Sequence, residues 1–74
     1  MKETYEKIIL ICYEEDSPQF IDEIASIEEE TKRTEDYEGA INNIIDVLSI
    51  FSDDVSIESQ NKIQEIYEDS IDLF

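Results

Sequence analysis

Apolar residues return along this chain at helical rather than strand spacing. In the first segment Tyr5, Ile8, Ile9 and Cys12 fall on one helical face, and Leu10 and Ile11 fill its sides. The run Ile8–Ile9–Leu10–Ile11 has the β-branching of a strand, but no other segment offers it a partner, and a lone strand is not stable. The reading is helix. The second segment opens at Ser17, a good N-cap, with Pro18 in the first helical position and acidic residues before and after that favour the positive helix end. Phe20, Ile21, Ile24 and Ile27 then repeat on one face. Glu28 with Lys32, and Glu29 with Arg33, form predicted i,i+4 pairs worth about 0.3–0.5 kcal/mol each.

The third segment has the cleanest stripe: Tyr37, Ala40, Ile41, Ile44, Ile45 and Leu48, extended by Phe51. Val47 and Ile50 widen the apolar arc, which predicts a central helix touched on two sides. Asp36 or Thr34 caps it, and Gly39 in its first turn leaves room for another backbone. Ser52–Asp53–Asp54 then breaks the chain and Ser56 caps a fourth helix. Ile57, Ile63, Ile66, Tyr67 and Phe74 form its looser stripe, supported by Ile71 and Leu73. The expected fold is all-α: a compact four-helix antiparallel bundle with short turns, one domain over residues 1–74. The alternative is three long helices with a weakly docked first one.

Charge sharpens this picture. Asp and Glu number 21 against 5 Lys and Arg, a net charge of −16 over 74 residues. The apolar share of 41% is too high for a disordered acidic tail. A small soluble domain needs a net charge of only about 2–8 in magnitude. The excess repels nucleic acids and anionic membranes and attracts basic partners, at some cost in self-repulsion. With no His, the usual zinc sites and Ser-His or Cys-His catalysis are out of reach. The single cysteine, Cys12, excludes an internal disulfide and any CxxC motif, which fits a reducing compartment. The longest apolar run, Ile8 to Tyr13, is too short to span a bilayer, and no signal or transit peptide is visible. A cytoplasmic protein is expected.

Carboxylates are the only abundant reactive groups, and a helical domain this small has little room for a groove between a catalytic pair. Asp53–Asp54–Val55–Ser56–Ile57–Glu58 superficially resembles a cation loop, but it lacks the alternating carboxylates and central Gly of an EF-hand. A turn with a helix cap explains it better. Cys12 reads as a packed small hydrophobe. No catalytic residue, metal or cofactor is expected. The acidic clusters read instead as partner-binding surface: Glu14, Glu15 and Asp16, leading to Asp22; Glu35, Asp36, Tyr37 and Glu38; and Asp53, Asp54 and Glu58. Carboxylates facing a partner's Arg and Lys speed encounter and sharpen specificity. Tyr13 and Tyr37 are candidate anchors, although Tyr37 serves equally as the first core residue of its helix.

Asp36–Tyr37–Glu38–Gly39–Ala40–Ile41, then Ile45 and Leu48, then Val55–Ser56–Ile57–Glu58 before Ile63, Ile66 and Tyr67, resembles small helical immunity proteins of contact-dependent growth inhibition and Maf-type polymorphic toxin systems. The resemblance covers under half the chain. It implies a cytoplasmic antitoxin that binds a toxin domain, often a basic nuclease, and covers or distorts its active site. The charge agrees, because a nuclease that grips phosphates must be basic. Two other readings stand beside it: a phage-encoded nucleic-acid mimic that inhibits a DNA- or RNA-binding effector, and a dimerisation module with Leu10, Ile11, Val47 and Ile50 at its seam.

Overall fold

A computed structural model describes residues 2–72 of the backbone, with side chains described as far as Ser70. Four helices follow in order: α1 (Lys2–Tyr13), α2 (Pro18–Thr34), α3 (Tyr37–Ile50) and α4 (Ile57–Asp72). No strand occurs among the described residues, so Ile8–Ile11 is helical. The short turns make successive helices antiparallel. The radius of gyration is 11.4 Å, close to the roughly 11 Å expected of a compact chain this long.

One apolar cluster draws on every helix. Tyr5, Ile8, Ile9 and Cys12 are the buried face of α1, as its spacing predicts. Phe20 and Ile24 enter from α2, and Ile63 from α4. The α3 contribution is the largest: Ala40, Ile41, Ile44, Val47 and Leu48. Ring contacts tie the ends together, Tyr5 against Tyr37 at 5.4 Å and Phe20 against Phe51 at 6.1 Å.

Several expectations need correction. α3 does pack against two neighbours, α1 and α2, as its wide apolar arc predicts, but the helix that packs against all three others is α1. The first helix is therefore the hub of the bundle and is firmly docked. Ile57 does not join the α4 stripe; it is 73% exposed, and Val55, one step ahead of the Ser56 cap, enters the core instead. Ile50 is also exposed, while Val47 is buried, so the residues set out as a dimer seam do not share one exposed surface. The Ile71 side chain, Leu73 and Phe74 lie outside the described residues. No acidic residue falls in the first turn of α2. Neither predicted i,i+4 pair forms: Arg33 pairs with Glu30 one residue closer, and Glu28 accepts a hydrogen bond from the Tyr13 hydroxyl at 2.9 Å.

Helix ends follow local chemistry. Ser17 accepts from the Phe20 N–H, and Asp36 accepts from the Gly39 N–H at 3.0 Å. A Cβ on Gly39 would lie 2.9 Å from the Asp36 Cγ and closer still to one carboxylate oxygen. The glycine thus makes room for the capping side chain, rather than for another backbone. α2 ends on Glu35, whose φ of 56° and ψ of 22° place it in the left-handed region, with its N–H bonded to the Thr31 carbonyl at 2.8 Å.

Candidate functional site

At the end of the bundle where α1 and α3 finish, α4 begins with Ser56 as its cap. The Ser56 Oγ accepts from the Ser59 N–H at 3.2 Å. In a capping box the residue at the Ser59 position is Glu or Gln, which reaches back to the cap's own N–H. Serine is too short for that reach. Glu15, from the turn after α1, takes the role from a distant part of the chain. Its Oε1 accepts from the Ser56 N–H at 2.7 Å, and its Oε2 accepts from the Ser59 hydroxyl at 2.8 Å and the Ser56 hydroxyl at 3.2 Å. The hydrogen bond from the Ser56 backbone, with those from the Ser59 and Ser56 hydroxyls, holds the Glu15 carboxyl below its ordinary range against the opposing effect of burial. Glu15 therefore fastens α1 to α4. This corrects its expected role as a free partner-facing acid.

That clamp brings the first and third acidic clusters to one end. Glu14, Asp16, Asp53, Asp54 and Glu58 are all exposed there. Glu58 is paired with Lys62 at 3.4 Å. The turn carrying Asp53 and Asp54 is braced: the Asp54 and Val55 N–H groups bond the Phe51 carbonyl, and the Gln60 amide donates to the carbonyls of Ser52 and Val55 at 3.0 and 2.9 Å. These acids are displayed on a turn held from below.

The middle cluster sits at the opposite end, in the α2–α3 turn. Glu35 and Glu38 are exposed, Asp36 is the cap of α3, and Tyr37 is half-buried against Tyr5. Tyr37 is a core residue first. Asp22 is exposed on α2. The eleven candidate partner-binding residues thus divide between two ends and a helix face.

A third feature was not legible as a site. Between α2 and α3 runs a surface groove of about 480 Å³. Its walls are apolar at Ile27, Ala40 and Val47, and it is bordered by Glu23 and Glu30 from α2, by Asp46 from α3 and by Asp36, the α3 cap. In the sequence these acids belong to separate stretches, Asp22–Glu23, Glu28–Glu30 and Glu35–Asp36, with Asp46 alone. Only the antiparallel pairing of α2 with α3 places them around one depression.

Among the described residues no group of three or more His, Cys, Asp or Glu side chains is placed to hold a metal ion. Every buried side-chain polar atom there has a hydrogen-bond partner. Cys12 is fully buried, and burial pushes its thiol up to about 12, with the nearby Glu15 charge adding to the effect. Tyr13 is raised likewise to about 12, by burial and then by its bond to Glu28. No helix is long and apolar enough to cross a membrane.

No family model, curated protein or solved structure matches the chain. Its function must be argued from its own surface.

Proposed function

We propose that this chain is a non-catalytic inhibitor, an immunity protein that neutralises a basic nuclease toxin domain by occupying its substrate groove. One observation carries the reading: a charge of −16 held on a compact helical scaffold, with exposed acids at both ends of the bundle. Such a surface competes with phosphates for the same basic groove. Opposite charge steers the encounter, and close contacts then set the lifetime of the complex.

The Asp53–Asp54 turn supports the reading further. Pre-organised side chains lose less conformational entropy on binding than mobile ones, and Gln60 holds this turn in place from the first turn of α4. Glu14 and Asp16 extend the same acidic end, while Tyr13, at 39% exposed, supplies an aromatic edge beside it.

Co-expression with the product of the neighbouring gene, assayed for nuclease activity, tests the proposal. A one-to-one complex without nuclease activity is the expected result. Absence of a complex, together with full nuclease activity, removes the reading. Reversing Asp53, Asp54 and Glu58 to Lys should weaken protection while helicity is retained; full protection by that variant moves the contact to another face.

A further inference from the structure

We infer that the α2–α3 groove receives a basic amphipathic helix of a protein partner, one with two cationic side chains seven residues apart and an apolar side chain one turn between them. The inference rests on the inhibitor reading and specifies the partner element that the acidic surface grips. Glu23 and Glu30 stand seven residues apart on α2, about 10 Å along the helix at 1.5 Å per residue. Because α2 and α3 are antiparallel, Asp46 comes opposite Glu23 near one end of the groove, and Asp36 lies toward Glu30 at the other. Each end of the depression is therefore bordered by carboxylates from both walls, while half-buried Ile27 and the edges of the buried Ala40 and Val47 form its apolar floor beside polar Ser26, Thr31 and Asn43.

Charge and shape together select the occupant. Two separated acidic borders around an apolar stretch complement a helix whose basic residues bracket an apolar one, the arrangement by which amphipathic helices lie in grooves. Arg33 pairs with Glu30 at the groove's edge, outside its lining. Both side chains of that pair are largely exposed, so solvent screens the pair and it adds little. A partner cation displaces Arg33 at little cost. Lys32, also in the last turn of α2, is not part of the lining, so among the described residues no Lys or Arg lines the groove.

The test uses the full chain and a capped synthetic helical peptide with two arginines seven residues apart and leucines between them. A scrambled peptide of the same composition, and spermidine, serve as controls. Amide-shift mapping should place the designed peptide on Ile27, Ala40, Asn43 and Val47. The pair Glu23→Lys and Asp46→Lys should weaken it about tenfold more than the pair Asp53→Lys and Asp54→Lys. Glu23→Gln with Asp46→Asn, gentler for the fold, should weaken it in the same order. Equal weakening by both reversals, shifts centred on residues 51–58, equal affinity for the scrambled peptide or spermidine, or no binding of the designed peptide would each overturn the inference. An intact toxin complex with no groove binding removes the groove and leaves the inhibitor reading. Groove binding with no toxin complex and no protection does the reverse.

Discussion

Glu15 shows how one side chain in an acidic chain is diverted from surface to scaffold. It follows α1, where the negative end of the helix dipole disfavours a carboxylate, yet it lies on the N-terminus of α4, where the dipole favours one. Its loss should cost about 1–2 kcal/mol, the scale of a helix cap strengthened by charge. Thermal unfolding of Glu15→Ala should show that loss as a lower midpoint. The sign with pH follows from its lowered pKa: the stabilisation is present above the unfolded glutamate's range and is lost as pH falls through the folded value. The gap between wild type and Glu15→Gln should therefore close on acidification, and a gap that widens would contradict the clamp. Glu35 is the opposite case. Its left-handed backbone favours glycine, so Glu35→Gly should raise stability by about 0.5–1 kcal/mol in denaturant titrations.

Helix starts and core faces were legible because their causes are local. Ser17, Pro18, Asp36 and Ser56 act within one turn of chain, and the buried α1 face follows from spacing alone. What stayed hidden depends on residues brought together from afar. Glu15 acts 41 positions away from Ser56, and the only sequence hint was Ser59 standing where a capping box needs a longer acceptor. Val55 takes the core place expected of Ile57 because the chain turns tightly after Phe51, which buries the residue before the cap. The groove was illegible for the same reason, since it exists only once α2 and α3 are paired. At this scale Gly39 and Asp36 form a testable unit. Gly39→Ala gains helix propensity but crowds the capping carboxylate. In a double-mutant cycle it should stabilise more in an Asp36→Ala background than in the wild type, by roughly 0.5–1 kcal/mol. Simple additivity would mean that the glycine does not serve the cap.

Across the whole molecule the charge is concentrated on a body only 32 × 26 × 17 Å. Most pairs of carboxylates then repel at low salt, while the screening length shrinks to about 10 Å at 0.1 M. Added sodium chloride should therefore raise the unfolding midpoint, by about 4–8 °C for each 1 kcal/mol of repulsion relieved. A midpoint that is flat or falls with salt would mean that repulsion is already offset within the fold. Binding should respond in the other direction, because the same salt screens the attraction to a basic partner. The most direct test is the association rate with the proposed toxin partner, in a catalytically inactive form, measured by stopped flow across a salt series. Acidic steering predicts a rate that drops steeply with salt and is slower for the Asp53→Lys, Asp54→Lys, Glu58→Lys variant. A rate indifferent to salt and unchanged in that variant would contradict it.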